Sequence, residues 1–141
     1  MSLPFLDAAK DLMVMALGAR LSPGVADYLD LFCKHGVLET PYVAPGCPSR
    51  WEGTQAIADF LGKLSGVIRL ADFSLVAAYP AQDGATTVLE YDGTVHLEKD
   101  GTRFRQRYIA VVMLQDGRIA LWREYLNPLA SQAAVHDGNS P

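Results

Sequence analysis

The sequence predicts an α+β fold: three N-terminal helices packed on one face of a curved antiparallel sheet. Three observations carry this. Apolar residues recur at helical spacing in the first half of the chain. From residue 68 onward the period changes to two. Two Asp-Gly pairs, Asp100-Gly101 and Asp116-Gly117, then interrupt long β-rich runs, and Asp-Gly between such runs favours a tight hairpin. Helices first and a meander after is the α+β order.

The elements follow in turn. Pro4 suits a first helical position, and Phe5, Ala9, Leu12, Met13, Ala16 and Leu17 form one stripe, so a helix is expected over 4–17 with Gly18 as its stop. Ser22-Pro23 reads as a cap and first turn of a second helix, with Val25, Tyr28, Leu29 and Phe32 as its apolar side and Gly36 as its end. Residues 37–42 read as a short edge strand, held there by Pro41. Pro45, Gly46, Pro48 and Gly53 make 43–53 a loop, with Tyr42, Arg50 and Trp51 available to line a mouth. A third helix is expected over 54–65 from Ala56, Ile57, Phe60, Leu61 and Leu64. Strands follow at about 72–80, 86–98, 103–115 and 118–127. Residues 1–129 form one domain in this reading, and 130–141 a frayed tail.

The hairpins set a register. With Asp116-Gly117 as the turn, Gln115 faces Arg118, Leu114 faces Ile119, Val111 faces Trp122 and Ile109 faces Glu124. With Asp100-Gly101 as the turn, His96 faces Arg105, Thr94 faces Arg107 and Asp92 faces Ile109. Side chains alternate across a strand. One face then collects Glu90, Asp92, Thr94, His96, Arg105, Arg107, Trp122 and Glu124. The other collects Leu89, Tyr91, Val95, Phe104, Tyr108, Val112 and Leu121. A single bulge would reverse part of this assignment.

The totals narrow the classes. The chain has 141 residues, half of them hydrophobic and a fifth charged, with a formal net charge of −4. Its acidic pI near 5.2 disfavours nucleic acid as a partner. No run of about 18 apolar residues suggests a membrane span, and the start lacks the basic region of a signal peptide. Two cysteines, Cys33 and Cys47, with no paired spacing, fit a reducing cytoplasm. Cys33 is expected mid-helix as a small buried hydrophobe. Three scattered histidines make no metal-ligand pattern, so neither metal nor other cofactor is expected.

The chain resembles the SnoaL-like and ketosteroid-isomerase-like families of the nuclear-transport-factor-2-like superfamily. The matching residues are Phe32 through Gly53, then Thr54-Gln-Ala-Ile…Phe-Leu, and the closing Asp-Gly-Arg-Ile-Ala-Leu-Trp-Arg-Glu-Tyr-Leu-Asn-Pro. The resemblance spans about residues 5–128 and implies a cone-shaped sheet around a pocket. It does not select a reaction, because this fold hosts isomerases, cyclases, dehydratases, epoxide hydrolases and non-enzymes. The steroid isomerases' aspartate base falls at Thr40 and their oxyanion-binding tyrosine at Met13. Neither residue can do that chemistry. Limonene-epoxide hydrolase is more permissive: its terminal Trp-Arg-Asp-Tyr, whose acid is catalytic, matches Trp122-Arg123-Glu124-Tyr125. Its partner Arg-x-Asp has no clean counterpart; Tyr91 and Gly93, or Glu90 and Asp92 after a one-residue shift, stand there.

Glu124 is therefore the first candidate acid/base, with Glu90 or Asp92 as the second carboxylate. A carboxyl beside an indole in an apolar cone would be desolvated and its pKa raised. The structural alternative is a cross-strand ion pair of Glu124 with Arg107. Trp122, Arg107, Tyr28, Tyr42, Phe60, Ile57 and Trp51 are candidate substrate-binding residues, and His96 a rim residue. The expected protein is a cofactor-free acid/base enzyme acting on a small apolar metabolite in a cone of roughly 300–1,000 Å³. The alternative is a non-catalytic dimeric ligand-binding module. Strands apolar on both faces suggest a homodimer through the sheet.

Overall fold

The computed structural model describes residues 3–130. Its elements are α1 (Asp7–Leu17), β1 (Phe32–Glu39), β2 (Arg50–Glu52), α2 (Thr54–Leu64), β3 (Ile68–Pro80), β4 (Thr86–Leu97), β5 (Arg103–Gln115) and β6 (Arg118–Leu126). Short 3-10 turns lie at Pro4–Leu6, Gly18–Arg20 and Leu29–Leu31. The expected tail over 131–141 lies outside the described residues.

The architecture is α+β, with two corrections. Two α-helices are present among the described residues, not three. The sheet is mixed rather than wholly antiparallel: its order is β2-β1-β6-β5-β4-β3, and β1 runs parallel to β6.

The missing helix has a physical explanation in Ser22. Its backbone N–H donates to Gly117 O at 2.8 Å and its hydroxyl to Asp116 O at 3.2 Å. Both groups are thus used on the β5–β6 turn instead of starting a helix. Asp30 Oδ2 then accepts from the N–H groups of Ala26 and Asp27, fixing a local turn. From Phe32 the chain is extended and pairs with β6. Gly36 marks the closest approach there, since a Cβ would lie 2.8 Å from Ile119 O. Cys33 consequently sits on a strand, half-buried. Here sheet pairing outweighs a stripe that suits a helix equally well.

Both hairpins form. At the β5–β6 turn Asp116 and Gly117 have φ of 52° and 79°, as a type I′ turn requires. Gln115 pairs with Arg118 and Leu114 with Ile119, as expected. Then the register slips: Met113 pairs with Leu121, leaving Ala120 as an extra residue. Beyond this bulge Val112 faces Trp122, and Ala110 faces Glu124. One inserted residue reverses the strand's two faces. At the β4–β5 hairpin the loop is longer than a two-residue turn, and Asp92 pairs with Arg107. That is a shift of two, so the side-chain faces stay as expected.

The concave face carries the core. Leu89, Tyr91, Tyr108, Ala110, Val112, Ile119 and Trp122 pack with Leu12, Met13 and Leu17 of α1 and with Ile57 and Leu61 of α2. Burying such side chains stabilises by about 1.5–3 kcal/mol each.

Candidate active site

A cavity of about 320 Å³ lies between the concave face and the helices. Its walls come from every part of the fold: Leu6 and Ala9, Tyr28 ahead of β1, Phe60 and Leu64 of α2, Phe73 of β3, Tyr91 of β4, Tyr108 of β5, and Trp122 and Glu124 of β6. Thr40, Tyr42 and Val43 also contribute, and Tyr42 and Val43 are exposed. Eighteen of the described residues line the cavity; among them none is lysine, arginine or histidine, and Glu124 is the sole acidic one.

The bulge at Ala120 is what brings Glu124 inside. It places Trp122, Glu124 and Leu126 on the face that holds Val112, Ala110 and Tyr108. Glu124 sits beside Ala110 of β5, which in turn sits beside Leu89 of β4. Alanine between them leaves room for Tyr91 to reach across β5, and its hydroxyl donates to Glu124 Oε2. Tyr91 stacks on Tyr108 with ring centroids 5.0 Å apart, and Tyr28 packs on Trp122 at 5.2 Å. Two aromatic pairs thus surround one carboxyl group.

Phe73 reaches this wall through an irregularity. The β3–β4 register shifts between Ala71 and Ser74, and Asp72 takes a φ of 54°. The ring then lies over Gly93, where a Cβ would come within 2.7 Å of it. Any other residue at 93 would displace Phe73.

Burial sets the electrostatics. It pushes the Glu124 carboxyl up to about 7, against the opposing pull of the Tyr91 hydrogen bond and the nearby Trp122 N–H. The indole Nε1 is buried outside hydrogen-bonding geometry, so its dipole acts on Glu124 without a formed bond. Burial, and secondarily the Glu124 charge, raises the Tyr28, Tyr91 and Tyr108 hydroxyls above the usual phenol range. All three stay neutral donors at ordinary pH. Near neutrality Glu124 can therefore both give and take a proton.

The other candidates divide. Trp122, Tyr28 and Phe60 line the cavity, with Tyr42 at its open side. Ile57 is fully buried but belongs to the core behind the wall. Trp51 stacks on Phe60 at 3.7 Å and supports it from outside the lining. Glu90, Asp92 and Arg107 alternate with Leu89, Tyr91 and Tyr108, so they occupy the convex face of the sheet. There Arg107 bonds Asp92 through Nε at 2.7 Å and Nη2 at 3.1 Å, and approaches Glu90 at 3.6 Å. These bonds hold the Asp92 carboxyl below its ordinary value. Neither the expected carboxylate pair nor an Arg107–Glu124 ion pair is formed, because the bulge puts the sheet between them. His96 lies beside Arg69, Nδ1 to Nη2 3.4 Å, and neither side chain lines the cavity. Of the steroid-isomerase positions, Thr40 lines the cavity and Met13 is core.

Tyr91, Tyr108 and Phe73 were not among the expected site residues. The first two were placed together on one face by the sequence; what hid them was Glu124's assignment to the other.

The sequence profile of the SnoaL-like domain matches residues 19–122. The chain belongs to the SnoaL-like family. It is 33% identical over 114 residues to the uncharacterized protein YesE of Bacillus subtilis strain 168, covering 81% of this chain and 78% of YesE. A solved Bacillus subtilis structure, described as a candidate isomerase, is 31% identical with a TM-score of 0.71, covering 98% of this chain and 97% of that one. A limonene-epoxide-hydrolase-like epoxide hydrolase from M. tuberculosis shares the fold at 22% identity, with a TM-score of 0.57 over 78% of this chain and 75% of that one. Among the described residues no helix is long and apolar enough to cross a membrane.

Proposed function

We propose that this SnoaL-like protein is a cofactor-independent enzyme in which Glu124 carries a proton between two atoms of a small, largely apolar metabolite. The observation behind this is a half-buried carboxyl, bonded by Tyr91 and raised towards neutrality by desolvation, on the wall of a largely apolar cavity. A single carboxyl that takes a proton at one atom and returns it at another suffices for an isomerisation. Addition of water across an epoxide by two carboxylates is less well supported, since Glu90 and Asp92 lie on the far face. Tyr91 positions Glu124, while Tyr28 and Tyr108 supply further hydroxyls to the wall. Trp122, Phe60 and Phe73 shape the space.

The test is turnover of a panel of small enolisable ketones, enones and amino-ketones, followed by deuterium incorporation from heavy water. The reading expects kcat/KM to rise with pH to an inflection near 7. Glu124→Gln should lower it by about 10² or more. Wild-type turnover in that variant would reject the assignment.

We also propose a homodimer through the convex face, where Val76, Tyr79, Ile109 and Met113 are exposed. Light scattering at micromolar concentration would show twice the chain mass; a monomer that Ile109→Lys leaves unchanged would contradict it.

A further inference from the structure

The geometry points to a ligand that carries its own positive charge: a small apolar molecule with an ammonium or iminium nitrogen seated against Glu124 among the rings of Tyr28, Tyr91, Tyr108 and Trp122. This rests on the cavity being the site at which Glu124 works, and adds the chemical class of what it binds.

Two features of the walls lead there. The first is a charge imbalance. Glu124 is half-buried on the cavity wall, accepts its one hydrogen bond from Tyr91, and among the described residues shares the cavity with no lysine, arginine or histidine. Buried carboxylates are ordinarily paired with a cation or kept protonated. Among the described residues no cation faces Glu124, so without a ligand the carboxyl favours the proton. A cationic ligand would provide the missing partner and release that proton. An anionic ligand would meet no counter-charge among the described residues of the wall.

The second feature is the aromatic surround. Tyr28 packs on Trp122 and Tyr91 on Tyr108, and all four rings line the same space as Glu124. Phe73 stands 6.0 Å from Tyr91 and 6.1 Å from Tyr108, extending that wall. Ring faces attract ammonium groups, most strongly where water is excluded. A carboxylate alone would suit any hydrogen-bond donor. Aromatic faces and an unpaired carboxylate together favour an alkylated or delocalised nitrogen cation, whose carbon substituents also fill the apolar remainder.

Competing charges are few. The titratable groups that face the cavity from every packed element are Glu124, Tyr28, Tyr42, Tyr91 and Tyr108. Tyr28, Tyr91 and Tyr108 are raised above the phenol range, and burial raises Glu124 to about 7. Cation binding should therefore strengthen as pH rises through 7 and Glu124 ionises.

The experiment uses phenyltrimethylammonium and its neutral carbon isostere tert-butylbenzene, followed by tryptophan fluorescence at pH 8. Wild type should bind the cation about tenfold or more tightly than the isostere. Glu124→Gln should bind the isostere unchanged while the cation's advantage falls to about threefold or less. In wild type alone, affinity for the cation should fall between pH 8 and pH 5.5 while that for the isostere stays flat. This second readout does not depend on the variant folding. Equal affinity for the two compounds in wild type, or a cation preference that survives in Glu124→Gln, would overturn the proposal and leave the cavity standing. Failure of wild type to bind either compound would overturn the cavity's role and the proposal together.

Discussion

The two faces of one sheet treat acidic residues in opposite ways. On the convex face Asp92 meets Arg107 through two bonds in solvent reach, and its carboxyl is held below the ordinary value. On the concave face Glu124 has a tyrosine, an indole and, among the described residues, no cation, and its carboxyl is pushed up to about 7. Strands of the same curvature carry both. The difference is solvation and pairing, and it separates a charge that sits comfortably from one available for proton transfer.

The largest expected effect lies on stability against pH. A carboxyl raised in the folded chain binds more protons folded than unfolded. Stability is then fullest below the unfolded value of about 4.5 and is lost as pH rises through about 7. The loss is on the order of 3 kcal/mol. Glu124→Gln cannot ionise, so it should exceed wild type in urea resistance at pH 8 and lose that margin by pH 4.5. Parallel behaviour of the two proteins would remove the contrast between the faces.

Gly93→Ala comes next. The added methyl would meet Phe73, so the ring must swing into the cavity. Overpacking of this kind costs roughly 1–3 kcal/mol. Urea unfolding should show that loss, and tert-butylbenzene should bind more weakly than in wild type. Unchanged stability and binding would mean that Phe73 does not form the wall.

Tyr91→Phe is subtler. It removes a hydrogen bond that favours the ionised carboxylate, so Glu124 should titrate roughly one unit higher. A lower or unmoved value would show that Tyr91 does not hold the carboxylate.

Asp92→Asn should do least. The pair with Arg107 is open to solvent and screened by salt. Tm should stay essentially unchanged at 0.5 M NaCl, and the Glu124 titration should not move. A shifted Glu124 would mean that the two faces communicate.

Much of this was legible in the sequence. Asp116-Gly117 required positive φ twice and got it, and α1, α2 and the four long strands follow from their periods. Two features were hidden for physical reasons. Val25, Tyr28, Leu29 and Phe32 suit a helix stripe, and only Ser22's bonds to the distant turn and the pairing of β1 with β6 decide otherwise. The bulge is the second feature. Ile119 and Trp122 are both buried, three residues apart, a spacing that an unbroken strand would split between its two faces. Their shared burial moves Glu124 onto the face of Tyr91 and Tyr108, and that burial is read from the structure. By contrast Glu90, Asp92 and Arg107 formed a correct cluster on the wrong side of the site.

Carbon-13 NMR of glutamate side chains, with the Glu124 resonance assigned by its loss in Glu124→Gln, measures the group on which everything turns. The account predicts one carboxyl titrating near 7 in the unliganded protein. A Glu124 that titrates at the ordinary glutamate value of about 4.5 would contradict it.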